Sequence, residues 1–261
     1  MTIVKSYIDG PYGQIHLRRA GHGGRPLVCL HMSPYSGDFY RKFQLEMAKD
    51  RLVICPDTPG YGNSDKPDSK PSVGDYAVAI IAMVDELGID EFDLLGFHTG
   101  TFIAVEVALA LQGRVKHLIL PGIPLVNKGR RADLATMYAK GRPYFSEDDY
   151  ILKRWQLGLK SRGGMSDDRL LAQFAESLKA GSADANRGFE AVFAYEPENR
   201  LPRVTQPVFI PIPDEVLADN SREAAKLFQN AAVEEWPELK ADLFEVSAAE
   251  VANKLRTVLE N

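Results

Sequence analysis

Cysteine and histidine are scarce in this sequence, long apolar runs are missing, and positive charge is not in excess. The two cysteines, Cys29 and Cys55, lie in the apolar runs "PLVCLH" and "LVICPD". They are too few for a disulfide framework and read as buried, reduced thiols of a reducing compartment. The five histidines, at 16, 22, 31, 98 and 117, lack ligand spacing, so no metal site is expected. No stretch approaches the ~18 apolar residues that cross a bilayer. The opening "MTIVKSYIDG" has neither a basic n-region nor an apolar h-region, so the expected location is the cytoplasm, away from membranes. Lys and Arg number 31 against 36 Asp and Glu, a net charge of −5, which gives nucleic-acid binding little electrostatic support. The one basic run, Lys128-Gly129-Arg130-Arg131, reads as a solvated loop, with an anion or acidic-substrate contact as the alternative. No glycine-rich dinucleotide or phosphate loop occurs, because "GHGG" at 21–24 precedes a strand rather than a helix. No cofactor is expected. The expected partner is a small molecule, with a homodimer the one assembly left open.

What remains is an ordinary globular composition, 45% apolar and 26% charged over 261 residues, enough for a large core without staples. "VKSYIDG" and "QIHLRRA" read as a hairpin. "PLVCLH", "RLVICPD", "FDLLGF" and "VKHLILPGIP" are near-continuous apolar runs, as strands buried on both faces should be. Helical patterns alternate with them, from about Asp38, at "SVGDYAVAIIAMVDELGI" and at 101–112. That alternation predicts a mostly parallel sheet flanked by helices, the α/β class. Residues 123–203 break the pattern into helical fragments, with Ser146 and Ser166 as N-caps. Alternation resumes at "QPVFIPIPD", followed by a helix, a short strand "AVEEWP" and a final helix. The expected organisation is a core of 1–122 and 204–261 with a helical insertion at 123–203.

Four segments carry a family likeness. "LVCLHMSP" is a strand running into a His-containing loop. "CPDTPGYGNSDKP" places Asp57, Gly60, Gly62 and Ser64 in an Asp-x-x-Gly-x-Gly-x-Ser turn. "GFHTG" at 96–100 joins a strand to a helix between two glycines, and "LPRVTQPVFI" returns the chain to the sheet. In this order they resemble the α/β-hydrolase fold, specifically its members with a helical cap. The resemblance implies about eight strands, a helical cap at 123–203, and a catalytic triad of nucleophile, acid and histidine in that order.

The triad positions depart from that pattern. His98 stands where the resemblance implies serine. Counting from Pro213 puts the acid at Val216, with Asp214 and Glu215 just before it; Asp214 is taken as the candidate. The histidine position falls on Ala241, and no histidine follows His117. The usual serine route is therefore not expected. The oxyanion donors implied by the resemblance are the backbone N–H groups of Met32 and Thr99, which survive side-chain replacement. Beside them an imidazole at position 98 suits general-base or nucleophilic work. Substrate contacts are expected from His31, Ser33, Tyr35, Phe97, Tyr144 and Trp155, with Asp38, Tyr138 and Phe145 as further cleft residues. His31 is also a candidate for shaping its loop, Ser33 for an alternative hydroxyl, and Asp57 with Ser64 for fixing the glycine-rich turn. Two readings stay open: a cofactor-independent hydrolase or lyase/isomerase-type enzyme with non-standard residues, acting on a small, largely apolar carbonyl compound, or a ligand-binding protein without turnover.

Overall fold

The computed structural model describes residues 1–144, 146–240 and 242–260. Phe145, and Ala241 where the absent histidine was counted, lie outside them. Eight strands form one sheet: β1 (Val4–Gly10), β2 (Gly13–Ala20), β3 (Leu27–Leu30), β4 (Val53–Pro56), β5 (Phe92–Gly96), β6 (Val115–Ile119), β7 (Val208–Asp214) and β8 (Ala231–Lys240). Their order is β1-β2-β4-β3-β5-β6-β7-β8. β1 and β2 pair antiparallel, as do β2 and β4, while all later neighbours run parallel. The fold expected from the alternation is the one observed.

Successive strand residues feed opposite faces, as the two-residue period requires. Val28, Leu30, Ile54 and Leu94 join one core layer, under α2 (Val73–Glu86) and α3 (Thr99–Ala110). Leu27, Cys29, Val53, Cys55 and Leu95 join the other, under α1 (Arg41–Met47) and α10 (Ala248–Leu259). Both cysteines are free and buried. α2 starts at a capping box, Ser72 and Asp75 satisfying each other's backbone N–H.

Between β6 and β7 lie α4 (Lys128–Tyr138), α5 (Tyr150–Ser161), α6 (Asp167–Leu178), α7 (Gly181–Asp184) and α8 (Arg187–Ala194). Ser166 caps α6 by accepting from the Arg169 N–H. Ser146 is not the N-cap of α5, which begins later, at Tyr150, with Asp149 as its N-cap. The basic run 128–131 opens α4 rather than a loop, and Arg131 within it is buried and ion-paired to Glu198 at 2.6 Å. The insertion is tied down by polar contacts. Arg169 pairs with Asp38 and with Glu245 (2.9 Å for the latter), and the Gly188 N–H donates to the Tyr61 hydroxyl at 2.7 Å.

β8 is longer than "AVEEWP", continuing past Pro237 to Lys240. As an edge strand it tolerates a proline that a central strand would not. Its register against β7 shifts where Pro213 pairs with Trp236 and Asp214 with Lys240, so residues 237–239 bulge out of β8. α9 (Ala218–Ala225) follows β7.

Candidate active site

β5 ends at Gly96 and α3 begins at Thr99, so the chain reverses direction over Phe97 and His98. His98 has φ 50° and ψ −115°, and is the one non-glycine residue with positive φ among the described residues. The flanking glycines make this turn possible. A Cβ on Gly96 would lie 2.3 Å from the Gly100 carbonyl oxygen, and one on Gly100 would lie 2.2 Å from the Leu30 carbonyl oxygen. The His98 carbonyl accepts from the Thr101 N–H at 2.9 Å and from the Thr101 hydroxyl at 2.6 Å.

The imidazole stacks on the Phe97 ring, centroids 4.1 Å apart, and places Nε2 3.1 Å from Glu215 Oε2. The Glu215 side chain is fully buried, while that of His98 keeps 21% of its surface exposed. An ionised carboxylate only accepts, so toward one Nε2 would be the donor. Glu215 Oε1 is buried without a partner among the described residues. Gly122 sits against both groups: a Cβ there would lie 2.4 Å from His98 Cδ2 and 3.2 Å from Glu215 Oε1. The carboxylate at His98 is therefore Glu215, not Asp214. Asp214 is exposed, whereas the side chain of the next residue, Glu215, is buried against the elbow.

The loop after β3 closes on the elbow through Thr99. Its hydroxyl oxygen accepts from the Ser33 N–H at 2.6 Å and donates to Ser33 Oγ at 3.3 Å. The N–H groups of Met32 and Thr99 have no acceptor among the described residues. Among the described residues no imidazole bonds the Ser33 hydroxyl.

The His31 ring is held inside its own loop. It is 1% exposed, Nδ1 donates to the Met32 carbonyl at 2.9 Å, and Nε2 accepts from the Thr58 N–H at 2.9 Å. Burial lowers its pKa below the ordinary value, in keeping with a neutral ring that both donates and accepts. Asp57 fixes the glycine-rich turn by accepting from His16 Nδ1 (2.8 Å) and the N–H groups of Gly37 (2.8 Å) and Asn63 (2.9 Å). Ser64 donates to the Asp57 carbonyl at 2.7 Å.

A cavity of about 480 Å³ lies between this loop and the insertion, with Ser33, Tyr35, Tyr138, Arg142, Arg154 and Phe189 among its walls. Of the expected substrate contacts, Ser33 and Tyr35 reach it and the others do not. Phe97 is fully buried in the second core layer, packed on Phe39 and Phe244 with both centroid distances 5.4 Å. The Tyr144 hydroxyl donates to the Ser177 carbonyl at 3.3 Å, and Trp155 packs edge-on against Phe174 at 5.2 Å. Both hold the insertion together. Asp38 is taken up by Arg169 and Arg18. Sequence reasoning missed Arg142 and Arg154 as cavity residues.

A profile of the alpha/beta hydrolase fold family matches residues 25–151. The 2-hydroxymuconate semialdehyde hydrolase of Pseudomonas sp. (strain CF600) is 33% identical over 103 residues, 38% of this chain and 36% of that protein. Haloalkane dehalogenase 2 of Mycobacterium tuberculosis (strain ATCC 25618 / H37Rv) is 29% identical over 115 residues, 44% of this chain and 40% of that protein. These matches span well under half the length of each relative. An esterase from Exiguobacterium antarcticum superposes with a TM-score of 0.82 at 18% identity, covering 99% of this chain and 100% of that one. The esterase RhEst1 from Rhodococcus sp. ECU1013 superposes with a TM-score of 0.81 at 22% identity, covering 100% and 99%.

Proposed function

We propose, on the premise that this chain has the α/β-hydrolase fold, that it is a cofactor-independent enzyme acting at a small carbonyl compound with His98 as its base. The observation that carries this reading is the His98–Glu215 pair held at a strained elbow. A non-glycine residue at φ 50° and ψ −115° costs on the order of 1–3 kcal/mol, and an imidazole that merely packed would not need such a backbone. Glu215 fixes the tautomer and stabilises the imidazolium that forms when Nδ1 takes a proton. The proton comes from a water that attacks the carbonyl, or from the carbon next to it. The N–H groups of Met32 and Thr99 receive the developing oxyanion; each such donor is worth on the order of 10²–10³ in rate, and a positioned base about 10²–10⁴. The relatives named as hydrolases and esterases make hydrolysis the first reaction to assay.

The test is turnover of an ester and lactone panel by wild type, His98→Ala, His98→Ser and Glu215→Gln, with folding checked by circular dichroism. His98→Ala should lower kcat/KM by about 10² or more. Glu215→Gln should lower it less, since an amide oxygen still accepts from Nε2 while losing the charge. Unchanged turnover in His98→Ala would remove the assignment.

One observation favours a ligand-binding protein instead: His98 is not among the described residues lining the 480 Å³ cavity. That reading expects no turnover across the panel and ligand binding unaffected by His98→Ala.

A further inference from the structure

Among the described residues five arginines are buried: Arg18, Arg51, Arg131, Arg142 and Arg169. Four have carboxylate partners. Arg18 pairs with Asp38, Arg51 with Asp50 and Asp93, Arg131 with Glu198, and Arg169 with Asp38 and Glu245. Arg142 has none among the described residues, although it is only 8% exposed. Burying an unpaired guanidinium is costly, so a charge this enclosed calls for a counter-charge.

The side chain is held in place rather than loose. Arg142 Nε donates to Asn186 Oδ1 at 2.8 Å, and Asn186 in turn donates from Nδ2 to the Tyr138 carbonyl at 3.0 Å. The guanidinium carbon lies 5.8 Å from the centroid of the Phe189 ring. Its Nη1 is nevertheless buried without a partner, the one terminal guanidinium nitrogen so placed among the described residues. Arg154, on α5, lines the same cavity, and its Nε is likewise buried and unpartnered. No carboxylate is among the described residues lining that cavity.

We propose that Arg142, supported by Arg154, is an anion subsite of the cavity and binds the carboxylate of a small organic acid. The planar guanidinium fork matches a carboxylate. The rest of the cavity suits an apolar body on that acid: Tyr138 and Phe189 stack at 4.7 Å, and Pro34 and Met137 complete the apolar wall. At about 480 Å³ the space falls in the range of small-molecule sites. As a statement about substrate, the inference rests on the enzymatic reading above. As a statement about binding, it does not.

The experiment measures binding to the full chain by calorimetry and ligand-dependent melting, with benzoate, its neutral isostere benzamide, and inorganic phosphate as probes. Benzoate should bind about 10- to 100-fold more tightly than benzamide, the range of a hydrogen bond to a charged group. Arg142→Gln should abolish that preference, and Arg154→Gln should reduce it. Equal binding of benzoate and benzamide to wild type overturns the proposal, as does a preference that survives Arg142→Gln. Binding of phosphate without benzoate overturns it too. If Arg142→Gln does not fold, the wild-type comparison and Arg154→Gln decide. Charge-selective binding without panel turnover sinks the enzymatic reading alone; turnover dependent on His98 without benzoate binding sinks this inference alone.

Discussion

Replacing His98 by glycine and by alanine separates backbone strain from every other property of the elbow. Both variants remove the imidazole, and both leave the buried Glu215 carboxylate without its partner, so that loss cancels between them. What differs is a single Cβ. At an ordinary position alanine is the more stable of the two by about 0.4–1 kcal/mol, because glycine has more freedom to lose on folding. At φ 50° and ψ −115° alanine carries a strain of about 1–3 kcal/mol that glycine escapes. The backbone has little room to relax. Gly96 and Gly100 pack within about one atom's width of neighbouring carbonyl groups, and the His98 carbonyl is held by both donors of Thr101. Strain therefore outweighs entropy, and His98→Gly should be more stable than His98→Ala by about 1 kcal/mol. For a chain of this size that is a gap of roughly 2–4 °C in Tm. Paired thermal and urea unfolding of the two variants reads it directly. If His98→Ala equals or exceeds His98→Gly, the elbow is unstrained and the argument from strain to use collapses.

Stability should fall with acidity through His31. Its folded-state pKa is lowered by burial, so below the unfolded value of about 6.5 the unfolded chain takes up a proton that the folded chain refuses. Between pH 7.5 and 5.5 this removes up to about 1.4 kcal/mol, present in full above pH 6.5; urea unfolding of His31→Gln should show a flatter slope, and an unchanged slope would place the titration elsewhere. Gly122→Ala should push His98 and Glu215 apart, since the new Cβ would lie 2.4 Å from the ring, at a φ of +68° that disfavours alanine. A loss of about 1–3 kcal/mol and a fall in kcat are expected, and unchanged kinetics would show that the pair is not needed.

The sheet was legible in the sequence because buried parallel strands leave continuous apolar runs and because glycines mark the turns that admit no side chain. Gly96 and Gly100 are the clearest case, each needed for a close backbone approach. The elbow histidine was visible for the same reason. Its carboxylate was harder. A count from Pro213 gives a position along the chain, not which of two adjacent carboxylates, exposed Asp214 or buried Glu215, faces the elbow. Phe97 was misplaced by its nearness to His98, although strand alternation assigns it to the layer of Leu95. Arg142 and Arg154 carry no local signal at all, since whether an arginine in a helical insertion meets water, a carboxylate or a cavity is decided by what packs over it.

The position of the carboxylate follows from the strand order around His98. His98 comes just after β5, Gly122 after β6 and Glu215 after β7, on three neighbouring strands. Two strand spacings of about 4.8 Å separate the outer pair by roughly 10 Å. An imidazole and a carboxylate must meet across that gap, over whatever stands on the middle strand. Glutamate reaches one methylene further than aspartate, and a middle residue without a side chain leaves the path clear. The clearances at Gly122, 2.4 Å to the ring and 3.2 Å to Oε1, show the path occupied from both sides. Histidine, glycine and glutamate are thus specified together by the strand order. An aspartate at 215 would fall short of Nε2 even with the same backbone, so the length of this side chain and the emptiness of position 122 are parts of one arrangement.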